Sequence, residues 1–215
     1  MSGIYIHIPF CKSRCKYCDF YSTTHLNLRE QYVDVLLKEI ELRKDYLIDK
    51  EVNTIYFGGG TPSLLSPYSI DLILRKLEKI FQVSPQAEIT IETNPSDLTE
   101  EYICQVKKAG VNRVSIGIQS FNDNLLELLG RRHTAQQAIE AVQQTRKAGF
   151  DNISIDLIYA IPGQTISTWQ HDLQQAIDLN IEHISTYCLT YEEGTKMTQM
   201  LENGQIKAVN EEIQN

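Results

Sequence analysis

The segment Cys11-Lys12-Ser13-Arg14-Cys15-Lys16-Tyr17-Cys18 places three thiols in eight residues, with the spacing C-x3-C-x2-C. Thiolate is the ligand form of cysteine, and a short loop carrying three of them suits an iron–sulfur cluster. A cubane has four irons, so three cysteines leave one iron without a protein ligand and open to another molecule. Lys12, Arg14 and Lys16 lie between the thiols, where their charges are expected to lower the thiol pKa values and offset a sulfur-rich cluster. The competing chemistry is a structural zinc ion, with His7 or His25 as the fourth ligand. Zinc ribbons arrive as two C-x2-C pairs, and there is no second pair here. Cys104 falls in a helical stretch and Cys188 in a strand-like one, and both are expected in the core.

The run Gly58-Gly59-Gly60-Thr61-Pro62 is the second candidate. Alone it is a tight turn ahead of the Ser66–Pro67 helix start, or a phosphate cradle. A phosphate loop would continue with Gly-Lys-Ser or Gly-x-x-Gly, and Thr61-Pro62-Ser63 offers neither. Beside a cysteine loop, the run favours a cofactor. His133, just ahead of a helix, is expected to be a solvated residue with no ligand role.

The elements that must position these groups show in a repeat. Lys108-Ala109-Gly110-Val111-Asn112-Arg113-Val114-Ser115-Ile116-Gly117 recurs 39 residues later as Lys147-Ala148-Gly149-Phe150-Asp151-Asn152-Ile153-Ser154-Ile155-Asp156. Each copy reads as a helix end, a left-handed glycine cap, a polar turn and a β-branched strand. Weaker echoes at 52–57 and 180–187 extend the unit along the chain. Six strands are expected near 3–8, 53–57, 87–92, 112–118, 152–158 and 182–189. Helical periodicity lies between them: Val33, Leu36, Leu37, Ile40 and Leu47 share one face, and Ile70, Ile73, Leu74 and Leu77 another. Asn27 with Glu30, Ser66 before Pro67, and Thr134 with Gln137 are expected N-caps. Strict β/α alternation implies parallel pairing, in a doubly wound sheet or, as preferred here, a partial (βα)6 TIM-like barrel. The cysteine loop, the glycine run, Glu92 and Gln119 each follow a strand, so in a barrel all four would meet on one rim. Asp156 sits inside its strand, where a buried structural carboxylate is as reasonable as a ligand contact.

The chain has 215 residues, 42% of them hydrophobic, and a formal net charge of -8. That charge excludes a nucleic-acid binder, which needs a basic surface. No apolar run reaches the roughly 18 residues of a membrane span, and no signal-peptide pattern opens the chain, so a cytoplasmic location is expected. Residues 1–195 are expected to form the barrel. Residues 196–215, with Met197, Met200, Leu201, Ile206, Val209 and Ile213 as anchors, are expected to begin a connection to a further domain beyond Asn215.

The cysteine loop after the first strand and the glycine run after the second resemble the radical S-adenosylmethionine superfamily. Within it, residues 5–11 (Tyr-Ile-His-Ile-Pro-Phe-Cys), 57–63 (Phe-Gly-Gly-Gly-Thr-Pro-Ser), 91–95 (Ile-Glu-Thr-Asn-Pro), 115–121 (Ser-Ile-Gly-Ile-Gln-Ser-Phe) and 156–165 (Asp-Leu-Ile-Tyr-Ala-Ile-Pro-Gly-Gln-Thr) are similar to the oxygen-independent coproporphyrinogen III oxidase family, especially its HemW branch of haem chaperones. The resemblance runs from Gly3 to about Tyr191. It implies that Cys11, Cys15 and Cys18 ligate a [4Fe–4S] cluster whose fourth iron is chelated by S-adenosylmethionine. It also implies that Tyr5 lines the methionine, that the backbone of Gly58, Gly59 and Gly60 bonds its amino group, and that Glu92 accepts from its polar groups. Tyr17, Gly60, Thr61, Gln119, Arg131 and Asp156 match positions that surround a second S-adenosylmethionine in the oxidase relatives.

Two activities follow from the resemblance: radical decarboxylation of coproporphyrinogen, and binding and transfer of haem. The oxidase branch has C-x3-C-x2-C-x-C, whereas this chain has Cys18-Asp19-Phe20, the continuation of the HemW branch. The expected partners are therefore haem or another tetrapyrrole, an electron donor and a haem-accepting protein, with membrane association only through that acceptor. A radical enzyme acting on an unrelated substrate is a third class, since one fold hosts many chemistries.

Overall fold

The computed structural model describes residues 2–49 and 51–209. Six strands, β1 (Ser2–Ile8), β2 (Glu51–Gly59), β3 (Gln82–Thr93), β4 (Arg113–Gln119), β5 (Ile153–Tyr159) and β6 (His183–Cys188), form one sheet in sequential order. Every pairing is parallel. A doubly wound sheet reverses its strand order at a switch point, and this one never does, so the connections all wind the same way. That is the partial barrel, open between β6 and β1 because the sheet does not close.

The helices are α1 (Arg29–Leu42), α2 (Pro67–Ile80), α3 (Glu100–Lys108), α4 (Asp123–Leu129), α5 (Ala135–Lys147), α6 (Ile166–Asp178) and α7 (Lys196–Glu202). Period-2 alternation splits each strand between two faces. Ile6, Ile8, Ile55, Phe57, Ile91, Ile116 and Ile155 turn to the helices and are buried with Ile70, Ile73, Leu74 and Leu77 of α2. Each of those four α2 side chains contributes about 2 kcal/mol by leaving water. A second, smaller core joins Leu125 and Leu129 of α4, Ile158, Ile161, Leu189 and Met197, with Tyr17 and Tyr191 packed against it.

The repeated joint is real in backbone terms. Gly110 (φ +111°) and Gly149 (φ +87°) take the left-handed conformation, and Asn180 (φ +49°) takes the same role in the next unit. Ser66 Oγ caps α2, and Thr134 with Gln137 forms a full capping box on α5. Asn27 does not cap α1. A 3-10 turn over Leu26–Leu28 runs straight into that helix, Leu28 occupies the N-cap position, and no side chain closes it. Leu47 lies past the end of α1, although it still packs against the core. Ile213 lies outside the described residues.

Candidate functional site

The carboxyl ends of the six strands surround a cavity of about 540 Å³, within the roughly 300–1,000 Å³ of small-molecule sites. The loop after β1 brings Cys11, Cys15 and Cys18 to its wall, and the end of β2 brings Gly59, Gly60 and Thr61. Glu92 from β3, Gln119 from β4 and Asp156 from β5 face it, together with Tyr17 and Arg131. Tyr5 and Gly58 are the two expected residues that do not line it. Tyr5 instead stacks on Tyr56 at 6.1 Å, and Tyr56 holds Glu92.

Glu92 is fixed by two donors: Tyr56 OH to Oε1 at 2.8 Å and Gly59 N–H to Oε2 at 3.1 Å. Burial raises its pKa, and these two hydrogen bonds oppose the rise. Burial also raises Asp156, which is bonded to Ser185 and Ser115, so it is at once a partnered strand carboxylate and a cavity residue. Gln119 sits in the left-handed region at φ +77°. The buried Asp172 of α6 holds the turn that follows, accepting from Ser120 Oγ and Phe121 N–H at 2.7 Å each. Such a conformation costs about 1 kcal/mol and needs surroundings that fix it.

The glycine run is required by the protein's own packing. A Cβ on Gly60 would stand 2.8 Å from the Phe10 carbonyl oxygen and 3.1 Å from Cys11 Sγ. Gly59 has φ +112° and faces the His7 ring, and Gly58 faces Tyr5 and Tyr56. The Gly60 N–H bonds the Ile8 carbonyl at 2.8 Å, so the glycines let β2 close against the start of the cysteine loop.

Two expectations about charge are corrected. Lys12, Arg14 and Lys16 do not turn to the thiols: Lys12 pairs with Asp97, Arg14 with the Ser22 carbonyl, and Lys16 with the Glu127 carbonyl. The cation that reaches sulfur is Arg131, whose Nη1 stands 3.3 Å from Cys15 Sγ while Nη2 bonds the Gly117 carbonyl. Burial, reinforced by the neighbouring thiols, raises Cys18, opposite to the lowering expected from the loop's cations. His133 is not solvated: it is 3% exposed, with Nε2 at 3.0 Å from the Ile118 carbonyl oxygen. The segment between α4 and α5 thus holds it against the end of β4.

Burial, with the Arg131 charge, lowers His133 from 6.5 to about 3. A histidine kept neutral in the fold but free to protonate once unfolded weakens stability as pH falls below about 6.5, down to the folded value. The unfolding free energy of the wild type, from urea titrations, should therefore fall more steeply between pH 6.5 and 4 than that of His133→Gln, by on the order of 2–3 kcal/mol over the window. Parallel pH profiles would refute this assignment.

For a single zinc ion the set is poor. His7 has Nδ1 on Tyr5 OH and Nε2 on the Tyr21 carbonyl, and neither His7 nor His25 lines the cavity. Among the described residues no three His, Cys, Asp or Glu side chains are drawn together as one preassembled metal site, and this holds for the three loop thiols as well. Cys104 lies in α3 and Cys188 at the end of β6, each half-buried, and Cys188 lines the cavity where a core position was expected. Tyr56, Asp97 and Asp172 were not anticipated. Asp172 was legible as a charge on the buried stripe of α6, and Tyr56 as the lumen-facing neighbour of Gly58 by strand alternation; Asp97 carried no signal.

The fold and this rim define a parallel, partial (βα)6 barrel with a three-thiol loop at the carboxyl ends of its strands. The chain belongs to the radical SAM superfamily, whose family model matches residues 5–176. It is 42% identical over 195 residues to the haem chaperone HemW of Buchnera aphidicola, covering 90% of this chain and 52% of that protein. It is 37% identical over 212 residues to the haem chaperone HemW of Lactococcus lactis, covering 98% and 55%. Among solved structures it is similar to coproporphyrinogen III oxidase (HemN) from Escherichia coli, with TM-score 0.86 and 28% identity over 98% of this chain and 49% of that one. The chain thus spans about half the length of the curated relatives it matches. No described helix is long and apolar enough to cross a membrane.

Proposed function

We propose that this chain serves a haem chaperone of the HemW type, with a [4Fe–4S] cluster on Cys11, Cys15 and Cys18 and S-adenosylmethionine on the open iron. The observation that carries the reading is the convergence of three thiols from one loop and the anchored Glu92 on one cavity at the barrel rim. The residues fit the group: three sulfur donors, the anchored Glu92 carboxylate and the side-chain-free backbone of Gly59 and Gly60 line the same cavity. When bound, the cluster supplies one electron at low potential to a sulfonium cofactor held against it.

The chain's own residues bind and orient. Glu92 would accept from the cofactor's polar groups, and the backbone of Gly58, Gly59 and Gly60 would bond its amino group, with Gly59 and Gly60 in the cavity wall. Tyr5 and Tyr56 brace Glu92 from the lumen side. Gln119 and Asp156 offer polar contacts on the opposite wall, with Tyr17 and Thr61 beside the loop. Arg131 reaches Cys15 Sγ and the Gly117 carbonyl and also lines the cavity, so it stands where the cluster loop meets the space a second S-adenosylmethionine would take. Haem is the cargo, an electron donor and a haem-accepting protein are the partners, and membrane contact comes through the acceptor alone.

The chaperone is favoured over the oxidase by the Cys18-Asp19-Phe20 continuation and by the identity to HemW proteins. An anaerobic titration of the reconstituted protein with haem, alongside an assay of coproporphyrinogen consumption, separates the two. Saturable haem binding with no porphyrinogen consumed is the expected result. Consumption of porphyrinogen dependent on S-adenosylmethionine would establish the oxidase instead.

A further inference from the structure

We propose that Asp97 is a positioning residue for the cysteine loop, pinning it to the barrel rim before any cluster is inserted; this rests on the reading that the three thiols hold a cluster. Asp97 closes the 3-10 turn Pro95–Asp97 that follows β3. Its carboxylate is only 3% exposed. Oδ1 takes Lys12 Nζ at 2.6 Å and Oδ2 takes Arg132 Nη2 at 2.8 Å. Lys12 lies between the first two thiols, and Arg132 follows the arginine that contacts the second. One buried carboxylate therefore joins the loop to the segment that carries Arg131.

The opposite end of the loop is fastened separately. Lys16 N–H donates to the Leu129 carbonyl at 2.9 Å, its ammonium to the Glu127 carbonyl at 3.2 Å, and its own carbonyl accepts from Met197 N–H at 2.8 Å. Gly130 permits the approach, since at φ +75° it ends α4 with a Cβ site 3.1 Å from Lys16 Cγ. The loop has no regular secondary structure between Cys11 and Cys18, so these external ties set where the thiols stand. Lys16 is held chiefly through backbone; Lys12 is held by Asp97 through charge.

The two ties differ in what they predict. A buried carboxylate between two cations is strongly held, and removing one member leaves the others poorly compensated. Ordering the loop in advance removes that conformational cost from cluster binding. Residues that orient metal ligands from behind typically change metal retention by about 10–100-fold. The effect belongs to the loop alone, because Lys12 is nearly half exposed and takes no part in the core.

The test compares the wild-type chain with Lys12→Met, Lys12→Arg and Asp97→Asn. In metal-free protein, amide hydrogen exchange across residues 11–18 should accelerate in Lys12→Met and Asp97→Asn while α2 stays protected, and Lys12→Arg should restore protection. After anaerobic reconstitution, a chelator should strip iron on the order of tenfold faster from the same two variants. Lys12→Met decides the matter even if Asp97→Asn fails to fold. Unchanged exchange in the loop of Lys12→Met overturns the proposal. If the wild type assembles no cluster, the cluster reading fails, and the metal-free exchange result still decides the role of Asp97.

Discussion

Serine in place of any one of Cys11, Cys15 or Cys18 is expected to abolish the four-iron cluster while leaving the fold intact. All three cysteines are free and half-buried, none belongs to either hydrophobic core, and the loop is fastened by the Lys12 side chain and the Lys16 backbone. Oxygen for sulfur at such a position changes stability by about 0.5 kcal/mol or less. A cluster iron that loses its thiolate loses the ligand that defines its site. Cys104→Ser, on α3 far along the chain, should retain full iron. Iron and sulfide analysis with circular dichroism of each variant checks the claim. Undiminished four-iron content in any single loop variant would remove that cysteine from the ligand set.

The second large effect is Gly60→Ala. The added methyl would meet the carbonyl oxygens of Phe10 at 2.8 Å and Ile8 at 3.0 Å, both backbone, so no flexible side chain can yield. Either the end of β2 retreats from β1 or the loop carrying Cys11 is pushed outward. The cost is about 1–3 kcal/mol, as for other forced insertions into packed regions. Because Cys11 Sγ is the third atom in the way, the loss should fall on the site as well as on the fold: a lower thermal midpoint with cluster yield and S-adenosylmethionine binding both reduced. A variant matching the wild type in all three would show that the close approach at Gly60 is not needed.

Much of the architecture was legible because the same physical unit is written several times. The left-handed caps at Gly110 and Gly149 and the β-branched strands after them repeat at a fixed interval, and Ser66 and Thr134 announce helix starts by their side-chain chemistry. The rim site was legible because most of its members follow strands, and parallel strands put such residues at one end. What was missed depends on where a side chain goes once the chain is folded. The loop cations look like partners of the thiols, yet a buried carboxylate 85 residues from Lys12 claims that lysine, and Arg131 comes from the far side of the barrel to reach Cys15. His133 reads as an exposed helix-start residue because nothing local reveals that the segment between α4 and α5 packs its ring against the Ile118 carbonyl of β4. Asn27 fails as a cap because a 3-10 turn precedes α1, a choice that local sequence does not signal.

The central claim is an iron with an open coordination site, and the most direct measurement is electron paramagnetic resonance of the reduced protein after anaerobic reconstitution, with and without S-adenosylmethionine. A reduced [4Fe–4S] signal whose g-values shift when the cofactor is added is the expected result, with loss of the signal in the Cys15→Ser variant. A cluster signal indifferent to the cofactor, or uptake of zinc by the three thiols in place of iron and sulfide, would contradict it.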